Sequence, residues 1–264
     1  MSDSSPGSGS TAELSVGIDV ACKKRKVLPI VVARWESGRL VPMDLKRPMA
    51  VSPPRGGGNE NALRPEWTQA FADQTARFLH DVERAAPGRI RRIAIDAPRT
   101  PATKGVLRAS EAELKRRGWH YIETPCREKF VEAAEEFAAQ EGNPNRKVPR
   151  PNQLWMLVGF ELFATLARGW ECLEVYPQAI VRTLGATASK KTPEGLRDQY
   201  QRASTRTGWG STGDELRQEL KNTSFGYPDD RLDAFLSAWV ASLSPEHREA
   251  LGEPPNDAIW IPRI

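Results

Sequence analysis

The sequence predicts a mixed α/β fold in which five strands form one sheet flanked by helices. Short apolar runs rich in branched residues occur at residues 14–21, 27–35 and 89–96, as is typical of strands. Residues 229–243 place leucine, phenylalanine and tryptophan at helical spacing, which predicts an amphipathic helix. Early strands joined by short turns, followed by alternating helices and strands, indicate a mixed sheet.

The first three strands are expected to pair antiparallel. Strand one is LSVGIDVA from Leu14, strand two is VLPIVVARW, and strand three is GRLVPMDL, which follows the turn signal Ser37 and Gly38. A loop rich in proline and glycine covers residues 48–64. Its three consecutive glycines do not match the G-x-G-x-x-G pattern of dinucleotide sites, so they predict no phosphate site.

Two helices with a strand between them are predicted next. Pro65 begins a helix that ends before Pro87, since apolar side chains recur along one face. RIRRIAIDAP predicts a buried strand that ends at Asp96, because Pro98 cannot continue it. A second helix, over about residues 105–117, ends at Gly118, the usual C-terminal cap.

The second half of the chain is predicted to contain three helices and the fifth strand. WHYIETP at residues 119–125 is expected to be extended, residues 130–141 to form a helix, and residues 141–152 a loop. The most apolar stretch, residues 154–167, predicts a buried helix over residues 152–168. WECLEVYP, residues 170–177, is strand five, and residues 229–243 form the last strong helix.

Composition excludes several classes of protein. A net charge of +4 is too small to indicate a partner by itself. Cys22, Cys126 and Cys172 have no C-x-x-C spacing, so neither a disulfide framework nor a structural zinc site is expected. Residues 154–167 are shorter than the roughly 20 apolar residues that a membrane span requires. Residues 1–12 predict a disordered tail rather than a signal peptide, and we expect a cytoplasmic protein.

Several acidic residues lie within apolar patterns, where a charge is costly to bury. Asp19 lies inside strand one, Asp96 ends strand four, and Glu174 lies inside strand five. Asp233 lies on the apolar stripe of the last helix, with Asp230 one turn earlier. If strand four lies beside strand one, the strand ends bring Asp19 and Asp96 together and the helix adds Asp233. The sequence thus predicts an acidic cluster.

Crowded carboxylates need protons or a bridging cation. Carboxylate oxygens without a neighbouring histidine or cysteine favour Mg²⁺ or Mn²⁺, and two such ions about 4 Å apart suit the cleavage of phosphodiester bonds. A structural interpretation is also open: Asp96 before Ala97 and Pro98 can cap a turn, and Asp229 and Asp230 can begin a helix.

Six segments that span most of the chain carry a family resemblance. They are GIDVA at 17–21, IDAPR at 95–99, RASEAELKRRG at 108–118, EVYPQA at 174–179, KKTPEGLR at 190–197 and DDRLDAFLSAWVA at 229–241. In this combination and order the chain resembles domain of unknown function family 429 (DUF429), a group described as predicted nucleases of the ribonuclease H-like superfamily. It departs from the family at Glu111, where many relatives have Asp.

The resemblance implies a single ribonuclease H-like domain over residues 13–264, with loop and helical insertions around a five-stranded sheet. It also implies catalytic acids on strand one, strand four and the last helix, which correspond to Asp19, Asp96 and Asp233. The pair Asp230 and Asp233 resembles the D-x-x-D pair of the resolvase branch, whose acids face the metals. Glu174 matches no catalytic position of the whole superfamily and is a candidate metal ligand or substrate group.

A basic segment accompanies the predicted cluster. Residues 87–130 contain eleven lysines and arginines against five aspartates and glutamates. A phosphate backbone is a natural partner for such a segment, and a solvated face is the alternative. The candidate nucleic-acid-binding residues are Arg99, Lys104, Arg108, Lys190 and Lys191.

These features lead us to expect a metal-dependent nuclease that hydrolyses DNA or RNA with two metal ions, with catalytic Asp19, Asp96 and Asp233. Asp230 and Glu174 are the further candidate ligands. The alternative is a non-catalytic nucleic-acid-binding module with the same fold. An actin-like phosphotransferase is disfavoured, because VACKKRKV after Asp19 lacks a Gly/Thr-rich hairpin for phosphate. No feature indicates a membrane, and protein partners stay unknown.

Overall fold

The computed structural model describes residues 12–47, 49–86 and 88–264, and within them the chain forms seven strands and nine helices. The strands are β1 (Glu13–Asp19), β2 (Ile30–Glu36), β3 (Arg39–Pro42), β4 (Arg89–Asp96), β5 (Glu171–Val175), β6 (Arg248–Glu253) and β7 (Asp257–Pro262). The helices are α1 (Asn59–Ala62), α2 (Pro65–Ala85), α3 (Ala109–Arg116), α4 (Arg127–Ala138), α5 (Trp155–Leu166), α6 (Pro177–Thr183), α7 (Pro193–Arg206), α8 (Asp214–Thr223) and α9 (Pro228–Ser242). The predicted mixed α/β class is confirmed. The predicted tail, residues 1–12, lies outside the described residues except for Ala12.

All seven strands belong to one sheet in the order β3-β2-β1-β4-β5-β7-β6. β1 pairs antiparallel with β2, and β2 pairs antiparallel with β3, as predicted. β4 pairs parallel with β1 on its other side, so β1 lies inside the sheet. β5 is parallel to β4, β7 is parallel to β5, and β6 closes the edge as an antiparallel partner of β7.

The prediction of five strands is wrong, because β6 and β7 extend the sheet beyond β5. The segment predicted to be extended, residues 119–125, belongs to no strand of the described sheet, in which β5 pairs with β7. The backbone N–H of Trp119 instead donates to the carbonyl oxygen of Leu114 and closes the end of α3. Helices α1, α6, α7 and α8 were not among the predicted elements.

Two apolar layers cover the faces of the sheet. On one face, α2 and α5 pack against Val16, Ile18 and Ile95. On the other face, α9 packs against the side that includes Ala94 and Leu173. Because neighbouring residues of a strand point to opposite faces, the alternation along β1 and β4 decides which residues meet α9.

The apolar helix α5 buries one side in this layered structure, whereas Ala164 on its other side is exposed. It has 12 residues and packs against α2 and β4. In the described part of the chain, no helix combines the length and the apolar character that crossing a membrane would require.

Candidate metal centre

Asp19 and Asp96 are the last residues of two neighbouring parallel strands, β1 and β4. The register of the two strands places them directly opposite each other. Since side chains alternate between faces, Asp19 shares a face with Gly17, and Asp96 shares that face with Ala94. This is the face that α9 covers. The expected meeting of the two acids at the strand ends is therefore found.

Gly17 lets α9 bring a third carboxylate to the same place. A Cβ atom at Gly17 would lie 1.9 Å from the carbonyl oxygen of Ala234 and 2.3 Å from the amide nitrogen of Ala238. No other residue type allows the helix backbone to lie this close to β1. Asp233 directly precedes Ala234, so this contact sets its carboxylate at the ends of β1 and β4.

The three aspartates form a set of converging oxygen atoms. One carboxylate oxygen from each of Asp19, Asp96 and Asp233 lies within 4.8 Å of the other two. Asp233 is buried, whereas Asp19 and Asp96 are partly accessible to solvent. Hard oxygen ligands at this spacing, with an open side for water, suit a divalent cation such as Mg²⁺ or Mn²⁺.

Burial and mutual repulsion oppose ionisation of this cluster. Burial, followed by the charge of Asp233, raises the pKa of Asp96 to about 8. Burial raises the pKa of Asp19 well above its usual range, with further increases from Asp233 and Asp96. Burial also raises the pKa of Asp233, against the opposing charge of Lys190. At neutral pH the cluster therefore favours bound protons or a cation.

Lys190 supplies one positive charge to the cluster from the segment between α6 and α7. Its Nζ donates a hydrogen bond to Oδ2 of Asp233. Although burial lowers it, the carboxylate of Asp233 raises the pKa of Lys190 above its usual value. The sequence predicts nucleic-acid contact for Lys190, whereas its ammonium here neutralises part of the acidic cluster.

Asp230 lies beside the cluster and has other partners. Lys26 places its Nζ 2.7 Å from Oδ1 of Asp230. Oδ2 of Asp230 accepts a hydrogen bond of 2.8 Å from the backbone N–H of Tyr227, the residue before α9. The side chain thus caps the N-terminus of α9, which is the structural interpretation that the sequence left open. It is outside the three-oxygen group.

Glu174 is also outside that group, because it forms a buried ion pair with Arg108. The two side chains make a bidentate contact with hydrogen bonds of 2.8 and 2.7 Å. Oε2 of Glu174 also accepts a 2.8 Å hydrogen bond from the backbone N–H of Arg99. Burial raises the pKa of Glu174, and Arg108 opposes that rise. Glu174 therefore anchors the segment that follows Asp96.

Arg108 is not open to a phosphate, which corrects its predicted contact with nucleic acid. The side chain is 4% exposed and also lies 3.3 Å from Oδ1 of Asp257. Nearby Glu111 is buried and accepts a 2.8 Å hydrogen bond from the backbone N–H of Thr124. Burial raises the pKa of Glu111.

The other predicted basic contacts lie on the surface or in a groove. Lys104 and Lys191 are exposed. Arg99 is partly exposed; one Nη atom donates to the carbonyl oxygen of Cys172 at 3.2 Å, and the guanidinium lies 5.5 Å from the ring centre of Phe163. Nucleic-acid contact by these three residues stays a prediction.

Two aromatic residues near the cluster were not among the predicted site residues. Burial, followed by the charge of Asp96, raises the pKa of Tyr176 to about 12. Trp155 lines a small cavity that includes Asp96 and a second, open cavity beside Lys23. Tyr176 lies within the EVYPQA segment, one of the six segments that carry the family resemblance, so the sequence could have indicated it as a site residue. Trp155 lies in an apolar stretch, where an aromatic residue predicts only core packing.

Comparison with known proteins gives one match. The model of a family described as a protein of unknown function (DUF429) matches residues 17–257. The matched region contains all three aspartates of the cluster. No curated protein and no solved structure matches the chain.

Proposed function

We propose that this chain, which belongs to the DUF429 family, is a metal-dependent nuclease that hydrolyses phosphodiester bonds of DNA or RNA. The observation that carries the proposal is the convergence of Asp19, Asp96 and Asp233, with one oxygen of each within 4.8 Å of the others. These carboxylates are expensive to hold together without a cation. Because such crowding of carboxylates does not stabilise the fold, the binding of a cation is the simplest explanation for it.

The fold supports the proposal as a ribonuclease H-like arrangement extended by two strands. The implied core has five strands, of which the first three are antiparallel, and β1–β5 have this arrangement. The implied acids lie on strand one, strand four and the last helix, as Asp19, Asp96 and Asp233 do. In this proposal β6 and β7 are an addition at the edge beyond β5.

The donor set fits Mg²⁺ or Mn²⁺, since the converging groups are all carboxylates. When bound, two such ions supply an activated water and stabilise the leaving oxygen of a phosphodiester. Asp19, Asp96 and Asp233 would hold them. Lys190 holds the Asp233 carboxylate, and Glu174 fixes the backbone after Asp96 through the amide of Arg99.

Basic residues around the strand ends support a nucleic acid as substrate. Lys23 and Lys24 are exposed just after β1, and Lys191 is exposed next to Lys190. Exposed ammonium groups attract a phosphate backbone without regard to sequence.

One observation favours the alternative of a non-catalytic nucleic-acid-binding module. The ammonium of Lys190 already neutralises part of the cluster through Asp233, so the fold does not require a metal for all of its charge balance. Binding that weakens with salt, without hydrolysis in Mg²⁺ or Mn²⁺, would favour this alternative.

The test is cleavage of labelled single-stranded DNA, duplex DNA and RNA by purified protein in Mn²⁺, Mg²⁺ or EDTA. We expect cleavage in a divalent metal only, and its loss in Asp19→Asn and Asp96→Asn. Asp73→Asn is the matched control, because Asp73 is an exposed carboxylate on α2. Circular dichroism would check that each variant is folded. Undiminished cleavage by the Asp19→Asn/Asp96→Asn double variant would refute the assignment.

A further inference from the structure

An open groove lies between α4, α5, the start of α2 and the segment after β4. Its volume is about 720 Å³, which is within the range of small-molecule sites. Its wall is mainly apolar, and Val131 at its side is 50% exposed. The aromatic lining residues are Phe130, Phe160 and Phe163.

The charged residues of the groove are mostly arginines. Arg99, Arg127 and Arg168 line it, against the single acid Glu161. Within the described part of the chain, none of these three arginines forms an ion pair with a carboxylate. An apolar wall with guanidinium groups that lack a carboxylate partner fits a ligand that has a flat apolar part and an anionic part.

The groove lies on the α5 side of the sheet, and Arg99 at its edge is close along the chain to the acidic cluster. Arg99 is the third residue after Asp96, and three residues span at most about 11 Å. Neighbouring phosphates of one stacked nucleic-acid strand are about 3.4 Å apart along the axis, so about three nucleotides cover this distance. The amide of Arg99 is held by Glu174, which fixes the position of this arginine relative to the cluster.

We propose that the groove binds an unpaired base of a nucleic-acid strand whose backbone passes the acidic cluster. The inference rests on the proposed function and deepens it, because it makes the substrate single-stranded at this point. The base would lie against Phe160 and the apolar wall, and the arginines would contact the neighbouring phosphates. A base inside a duplex is stacked on both faces and cannot enter, so a fully paired strand leaves the groove empty.

Of the three rings that line the groove, Phe160 is partly exposed, and Phe130 and Phe163 are buried beside it. Phe130 and Phe160 meet edge to face with centres 5.7 Å apart, and the guanidinium of Arg99 lies 5.5 Å from the ring centre of Phe163. Bases stack on aromatic rings and on guanidinium planes, without strong sequence preference. We therefore expect the groove to bind any of the bases with similar affinity and to bind a strand without bases more weakly.

The test is the binding of a fluorescein-labelled oligothymidylate of 12 nucleotides, measured by fluorescence anisotropy. The buffer contains EDTA, so that no metal-dependent cleavage occurs. A strand of the same length with abasic sites at every position keeps the phosphates and lacks the bases. We expect wild type to bind the oligothymidylate about 10-fold more tightly than the abasic strand, given the usual contribution of base stacking. Thymidine monophosphate as a competitor would show whether one nucleotide is sufficient.

Two alanines on α4 give a matched pair of variants. Ala134 lines the groove, whereas Ala138, one turn later, is exposed and does not line it. Ala134→Glu and Ala138→Glu change the net charge equally, so only the groove distinguishes them. We expect Ala134→Glu to remove the preference for the oligothymidylate, about 10-fold, and Ala138→Glu to keep it.

A second measurement does not depend on variants. A single-stranded oligonucleotide that contains 2-aminopurine should change its fluorescence on binding wild-type protein, and the same strand in a duplex should not. Equal binding of the base-containing and abasic strands, or equal binding by the two variants, would overturn the proposal. Base-dependent binding without any metal-dependent cleavage would overturn the proposed nuclease activity and support the proposed binding of a base in the groove.

Discussion

Replacing Asp96 by Asn should stabilise the metal-free protein at alkaline pH and leave its stability near pH 4 unchanged. In the folded protein the pKa of Asp96 is raised from 3.8 to about 8 by burial and by Asp233. The unfolded chain keeps the lower value. Between these pH values folding takes up a proton, so rising pH lowers the free energy of unfolding. Asparagine has the shape of the protonated carboxyl and no proton to lose.

The size of the effect follows from the pKa difference. Between pH 3.8 and about pH 8, each increase of one pH unit lowers the free energy of unfolding by up to about 1.4 kcal/mol. The full range from 3.8 to about 8 sets a ceiling of about 6 kcal/mol. Asp96 is partly accessible to solvent, and the structure relaxes around a buried charge, so we expect about half of the ceiling, roughly 3 kcal/mol, at pH 8.

The assay is urea unfolding in EDTA at several pH values between 4 and 9, followed by tryptophan fluorescence. The exposed carboxylate Asp73 gives the control variant Asp73→Asn, for which we expect the pH dependence of wild type. A saturating concentration of Mn²⁺, 100 times its dissociation constant, should stabilise wild type by about 2.7 kcal/mol at pH 8 and Asp96→Asn by less. If Asp96→Asn lost stability with pH as steeply as wild type, the cluster would not carry the crowded charge described above.

Four further variants test the contacts around the cluster. Gly17→Ala should destabilise the protein by about 3 kcal/mol or more, because its Cβ would meet the backbone of α9, and should abolish Mn²⁺ binding measured by calorimetry; retained binding would contradict this. Lys190→Gln should lower metal-free stability at pH 8 by about 1 to 3 kcal/mol, since Asp233 loses its counter-charge, and scanning calorimetry should find this deficit reduced by Mn²⁺. Arg108→Met should cost about 3 to 5 kcal/mol by leaving Glu174 buried and unpaired, whereas the Arg108→Met/Glu174→Met double variant should recover much of that loss in urea unfolding.

The strands and acids that form the cluster were predictable because local pattern decides them. Asp19 and Asp96 interrupt or end runs of branched apolar residues, and Asp233 lies on a helical stripe. Strand order then follows from hairpins and from the tendency of sequential elements to be neighbours. The same logic fails for β6 and β7, whose place beside β5 depends on which sheet edge is left free.

Other features were not predictable from local pattern. Glu174 and Asp96 look alike in sequence, because both are acids in apolar runs. Glu174 forms an ion pair because Arg108, which is 66 residues before it in the chain, packs against it in the fold. Asp96 has no such partner in the sequence pattern and remains a candidate metal ligand. Helix α3 begins at Ala109 because Asp257, far along the chain, accepts the N–H of Ala109 at 2.6 Å. In α7 the buried face includes polar and small residues such as Gln199 and Ser204, so no apolar stripe marks it.

The wide separation of the three carboxylates along the chain determines when the centre can exist. Asp19 and Asp96 lie on β1 and β4, whereas Asp233 lies on α9, 137 residues after Asp96. Because a chain is synthesised from its N-terminus, the ribosome adds the first two ligands well before the third. The proposed activity can therefore arise only after α9 has been synthesised, and a product truncated before α9 lacks both the third ligand and the helix that covers this face of the sheet.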